Sequence, residues 1–311
     1  DMPFLVDSVT GCLSSAMQYR IHMMHHPIMD VARDKTGKRA ISKGTERVRE
    51  SYMYVEISAQ SDPKALENIK TTLEKTLDDV RAAVSDWRAM LAKIDETVAS
   101  LTVNPPPIEE DQVEETIQFL RWLGSDHFTF LGFREYRFDG DPTTFDFSHV
   151  DGTALGILRD PDRYVLRGKD GLTPMSAEIR HFLTQPDPVI ITKANVKSTV
   201  HRVSHLDYIG VKIFDAEGHA IGERRFVGLF TSLSYSQFAH DVPLIRGKVA
   251  NIQKRARLGH QSFAGKALSH ILENFPRDEL FQVDEDWLYE TALGVLQLTE
   301  RPRPRAFIRP D

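Results

Sequence analysis

A chain of 311 residues, 41% hydrophobic and 27% charged, is long enough to bury substantial cores and predicts two domains rather than one. Its net charge of −6 and pI near 6.1 leave no diffuse positive field, so neither nucleic acid nor a membrane is an expected partner. The one cysteine, Cys12, precludes an internal disulfide framework, and no run approaches the roughly 20 apolar residues of a membrane span, so a cytoplasmic protein is expected.

Residues 3–19 carry Phe4, Leu5, Val9, Leu13 and Met17 at helical spacing, and the segment 20–32 turns extended around His22, Met24 and Pro27. A polar stretch from Asp34 to Arg49 precedes a β-rich run, SYMYVEIS (51–58), which is expected to pair with that extended segment. Asp62-Pro63 then supplies an N-cap and a first-turn proline, and no Gly or Pro interrupts the chain until Asn104-Pro105-Pro106-Pro107. A helix of about 40 residues follows from that spacing. Its apolar positions, Leu66, Ile69, Leu73, Leu77, Val80, Val84, Trp87, Leu91, Ile94, Val98 and Leu101, recur with a 3.5-residue period, the seam of a helix packed along another helix or subunit.

After the proline linker at 105–111, a helix burying Val113, Ile117, Leu120 and Leu123 opens a second domain. FTFLGFREYRF (128–138), VIITKAN (189–195), STVHRV (198–203), LDYIGVKIFD (206–215) and HAIGERRFVGLFTS (219–232) read as strands of an antiparallel meander. Helical patterns follow at 243–257, 262–275 and 285–298, before Pro302 and Pro304 break the chain. The chain opens at Asp1-Met2-Pro3 and closes on RAFIRPD (305–311), which reads as the start of a strand, so a longer polypeptide is expected.

The motifs of chemistry fail one by one. No Gly-x-Gly occurs among the 18 glycines, so a dinucleotide fingerprint is missing. A phosphate loop needs glycine five before a Gly-Lys pair, where Gly247-Lys248 has Val242 and Gly265-Lys266 has His260. A nucleophile elbow needs serine between glycines four apart, where Ala154 and Ala220 stand. His22, His25 and His26 alternate faces on a strand with no further ligand at metal spacing. His201 and His205 flank a strand end beside Asp207, a spacing that admits an acid–base pair but is explained as well by polar sheet and turn residues. The basic residues of the later strands, Lys193, Lys197, Arg202, Lys212, Arg224 and Arg225, are the candidate ligand contacts. Convergence of Lys193, Arg202, Arg224 and Arg225 would hold a carboxylate or phosphate; the alternative is a charged face paired with Asp207, Glu217 and Glu223. No catalytic, cofactor or metal residue is assigned.

The stretches DMPFLVDSV (1–9), FLRWLGSDHFTFLGFREY (119–136), LGILRD (155–160), ITKANVKSTVHR (191–202), LDYIGVKIFD (206–215), GERRFVGLFTS (222–232) and PRDELFQ (276–282) are together similar to the amino-terminal region of the large, NAD-specific bacterial glutamate dehydrogenases. The resemblance implies an α+β fold. An incomplete ACT-type domain with a long helical arm spans 1–104, a linker 105–111, a PAS-like antiparallel sheet domain with flanking helices 112–300, and the start of a further ACT-type domain 301–311. It also implies a parent enzyme that oxidatively deaminates L-glutamate with NAD, its nicotinamide site lying outside this segment. On that reading the segment is non-catalytic, with a regulatory or assembly role. Its partners are other domains of the same polypeptide and homo-oligomer subunits reached through the 62–103 helix. The alternative is a module sensing an amino acid or anion. Asp1-Met2-Pro3-Phe4-Leu5 resembles the Asp-x-Pro-Gly-Leu turn by which ACT domains admit amino acids, but Phe4 takes the glycine position and is expected to fill the ligand space.

Overall fold

The computed structural model describes residues 1–34, 36–39, 47–139, 146–161, 163, 185–259, 261–300, 302–304 and 306. Most of the expected strand start, 305 and 307–311, and residues 164–184 lie outside the described residues.

Helix α1 (Leu5–Gly11) continues into a wider π-type turn at Cys12–Ala16 and buries Val9, Cys12 and Leu13. Strands β1 (Ile21–His25), β2 (Ile28–Ala32), β3 (Arg47–Ser51) and β4 (Tyr54–Ile57) follow. The expected pairing is present, split into two antiparallel ladders: Met24 lies opposite Val55 in β1–β4, and Val31 opposite Val48 in β2–β3. The break falls at Pro27, which has no N–H to donate and instead accepts from Tyr52 N through its carbonyl at 2.9 Å.

Helix α2 (Pro63–Val103) runs for 41 residues, Pro63 standing at its first position and Asp62 accepting from Lys64 N at 3.0 Å. Its buried stripe includes Thr76, Val80, Ala83, Met90, Ile94, Thr97 and Leu101. That stripe keeps the expected period but is turned off the purely apolar seam, leaving Leu66 at 50% and Trp87 at 47% exposure. Its partners are in the same chain: β-strands and the next helix, α3 (Glu110–Trp122). Small groups at Thr76, Ala83 and Thr97 let the helix backbone approach closely, which larger seam residues would prevent.

The second unit is an antiparallel sheet of β5 (Phe128–Asp139), β6 (Asp146–His149), β7 (Leu155–Gly156), β8 (Val189–Lys197), β9 (His205–Phe214) and β10 (Ala220–Phe230). Strand order is β6-β5-β10-β9-β8, with β7 pairing β5 at Gly132 and Phe133. The meander is therefore β8-β9-β10, and β5 closes on β10 with Phe226 opposite Phe133. STVHRV is not a strand. His201 takes φ 67, outside extended geometry, and Ser198 N bonds back to Ser204 O at 2.8 Å, closing a turn. Helices α4 (Ser232–Ser236), α5 (Ile245–Ala256), α6 (Phe263–Glu273), α7 (Arg277–Gln282) and α8 (Glu285–Glu300) follow.

Alternation along the strands divides the core in two. Phe128, Phe133, Val211, Phe226 and Phe230 pack with Phe119, Met90, Ile94, Leu101 and the late helices. Leu131, Tyr208, Val227 and Leu229 pack with Ile157, Leu158, Val80 and Ala83. Helix α2 contributes to both, crossing from one core to the other at the β5–β7 edge, where Asp86 Oδ2 accepts from Gly156 N at 2.7 Å and Asp86 also pairs with Arg159.

Candidate functional site

The four candidate contacts fall into separate settings. Adjacent on β10, Arg224 and Arg225 point to opposite faces. Arg224 Nε lies 3.2 Å from Glu135 Oε2, and its Nη1 donates to Glu96 O at 3.2 Å, tying β10 to β5 and α2. Arg225 enters a buried cluster: Nη2 donates to Glu223 Oε2 at 3.2 Å, Nε to the Tyr208 hydroxyl at 3.1 Å, and the guanidinium lies 4.0 Å from the Tyr136 ring centroid. Tyr208 donates its hydroxyl to Glu223, and both residues are fully buried.

Burial pushes the Tyr208 phenol well above its ordinary value. It also opposes the charge of Arg225, but Tyr208 and Glu223 outweigh it and raise that guanidinium. Lys212, on the same face of the sheet, is lowered by burial to about 8, against the pull of Asp187 and Glu223, and donates to Gln185 O. Arg134 donates to the carbonyls of Leu158 and Asp160. An anion arriving here must compete with Glu223 and these carbonyls.

Lys193, through Asp207, and Arg202 are both tied to Phe230 at the end of β10. Lys193 bridges Asp207 and Asp278, the latter at 2.9 Å. Asp207 Oδ2 accepts from Phe230 N at 3.0 Å, while Arg202 Nη2 donates to Phe230 O at 2.7 Å. Tyr235 donates to Asp278 at 3.0 Å and is raised by burial and that carboxylate. For Asp207, burial outweighs the bond from Lys193 and raises the carboxyl; for the less enclosed Lys193, burial lowers the ammonium but the bonds and charges of Asp207 and Asp278 together outweigh it and raise the ammonium. The arrangement clips α7 and the α4 turn to the sheet. Lys197 is exposed at the end of β8.

A third setting joins the first unit to the sheet. Phe4 takes φ 69, the left-handed region a glycine would favour, and its ring lies 5.0 Å from that of His201. His201 N donates to Ser8 Oγ at 2.9 Å, and its Nδ1 lies 3.1 Å from Asp7 Oδ2. Asp79 accepts from Thr199 and Arg163, both at 2.6 Å. The 198–204 turn is thus a socket for α1 and α2. Sequence reading identified Phe4 through its place in the turn. It named Arg225 and, as the alternative to a ligand site, a pairing with Glu223, but missed Tyr208, whose buried hydroxyl joins the two.

Among the described residues, no helix is long and apolar enough to cross a membrane, and no group of three His, Cys, Asp or Glu is placed to hold a metal ion.

Comparison with known proteins adds identity to this frame. The family profile described as "Glutamate dehydrogenase, ACT1 domain" matches residues 1–73, and "Glutamate dehydrogenase, helical motif 1" matches residues 242–301. The chain is 36% identical over 318 aligned positions to the NAD-specific glutamate dehydrogenase of Halomonas elongata, which covers 100% of this chain and 20% of that protein. The enzyme of the same name from Pseudomonas aeruginosa is 34% identical over 100% of the chain and 19% of its own length, and that of Mycobacterium tuberculosis 27% identical over 99% and 18%. The chain spans about one fifth of the length of these curated relatives. Over its whole length, and through both matched modules, it belongs to the NAD-specific glutamate dehydrogenase family.

Proposed function

We propose that this chain is a non-catalytic regulatory and assembly segment from the amino-terminal region of an NAD-specific glutamate dehydrogenase of the cytoplasm, the complete protein deaminating L-glutamate to 2-oxoglutarate with NAD. The supporting observation is the end-to-end match to three enzymes of that name, of which it forms only a fifth. The chemistry and the NAD site are assigned to the remainder of the polypeptide. In this reading residues 1–104 form an ACT-type unit lengthened by α2, and the antiparallel sheet of 112–300 is PAS-like.

The charged side chains of the sheet support a structural use, since Arg224, Arg225, Lys193 and Arg202 each bond to groups of the same chain. Assembly is assigned to the first turns of α2, where Leu66 is half exposed and Ile69 and Leu73 are only partly covered. Light scattering on the purified chain tests this: it is expected to report a multiple of 35.4 kDa. The double substitution Leu66→Glu and Leu73→Glu is expected to return the mass to a monomer with the melting transition retained. A monomeric parent chain at high concentration contradicts the assembly role.

A further inference from the structure

A cavity of about 420 Å³ lies where the α1 turn, α2 and the start of β5 meet. Its lining includes Phe4, Trp87, Leu91, Phe128 and Phe130, with Asp126 its one charged residue and no lysine, arginine or histidine. Beside it, residues 128–131 have β10 on one side and, among the described residues, no strand on the other, because β7 joins only at Gly132 and β6 at Tyr136. The volume and the position between structural units are those of a small-ligand pocket.

The lining also selects a charge. Aromatic faces attract cations through their quadrupoles, and Trp87 already receives the Arg88 guanidinium, 5.4 Å from its ring centroid. Asp126, exposed at the rim, adds an acidic side chain, which favours an ammonium over a carboxylate. Its place is fixed by the α3–β5 corner: φ is 64, and its carbonyl accepts from Thr231 Oγ1 at 2.8 Å. We propose that this cavity binds a small organic ammonium ion, the apolar or aromatic body lodging among the rings and the ammonium facing Asp126. A free α-amino acid fits less well, because its carboxylate would share the site with Asp126 and the lining itself holds no cation, Arg88 lying outside it on the Trp87 ring. The site stands whether or not the segment regulates an enzyme.

Titration of the chain with phenethylammonium, phenylacetate and L-phenylalanine, followed by calorimetry and tryptophan fluorescence, tests the proposal. Phenethylammonium is expected to saturate below about 20 mM and to bind at least tenfold more tightly than the other two. Asp126→Asn, a residue tolerant of left-handed backbone, is expected to weaken phenethylammonium at least fivefold while the melting temperature holds. Trp87→Ala is expected to weaken it further; if that variant fails to fold, Asp126→Asn decides. Equal binding of phenylacetate, unchanged affinity in Asp126→Asn, or no saturation with phenethylammonium overturns the proposal, as does tighter binding of a lysine-bearing peptide.

Discussion

Glu223 shows how one residue carries a cluster. Its fully buried carboxylate takes the Tyr208 hydroxyl and the Arg225 guanidinium, so removing it takes the facing carboxylate from a buried cation on the inner face of the sheet. Glu223→Ala is expected to destabilise the chain by about 3 kcal/mol, read as a lowered urea midpoint at unchanged slope. A shift within experimental error would show the cluster to be incidental. The Lys193–Asp207 pair predicts a pH signature. Asp207, raised by burial, disfavours the fold as pH climbs from its unfolded value through its raised folded one. Lys193, raised because Asp207 and Asp278 together outweigh burial, contributes fully below the ordinary lysine value of 10.5 and loses that contribution as pH rises through its folded value. Melting temperatures above pH 10.5 should therefore fall more steeply for the parent chain than for Lys193→Met, and parallel curves would remove the pair from the account. Phe4 was legible in sequence as the occupant of a glycine position. What was not legible is that its backbone keeps the left-handed geometry and that the turn 198–204 receives its ring, because contacts nearly 200 residues apart leave no local pattern.

At the scale of elements, α2 was read closely from Asp62-Pro63 and Asn104-Pro105, since caps and prolines act through the backbone itself. Its facing was not. A 3.5-residue period says that a stripe is buried but not by what, and here small residues and Asp86 set the helix on a sheet edge. Strand β7 makes that edge possible. Gly156 has φ 59 and ψ −140, and a Cβ there would lie 2.1 Å from Leu131 O. Gly156→Ala is expected to cost at least about 3 kcal/mol or to prevent folding, whereas Gly247→Ala, where a Cβ meets nothing within 4 Å, is expected to be neutral or slightly stabilising. Equal melting temperatures for the two variants would contradict this account of the β5–β7 contact. The short strands β6 and β7 and helix α7 were missed because four, two and six residues give too little periodicity to register, and α7 opens at Pro276 with a buried arginine on its first turn. STVHRV misled in the opposite sense: β-branched residues fill it, yet His201 turns the chain.

For the whole molecule, the antiparallel sheet, the late helices and the paired ribbon were all accessible to pattern, and the order β6-β5-β10-β9-β8 was only partly so, since β5 returns to β10 across some 90 residues. Of the candidate ligand contacts, Arg224 joins β10 to α2 and Lys193 joins the sheet to α7; Asp79, outside that set, joins α2 to the 198–204 turn. This use of charge as internal fastening is consistent with the proposed role of an assembly segment within a larger enzyme. The central claim is tested most directly by glutamate-dependent NADH formation at 340 nm, using the purified, cooperatively melting chain. The account predicts no rate above buffer at any chain concentration; a rate that rises in proportion to the chain would contradict it.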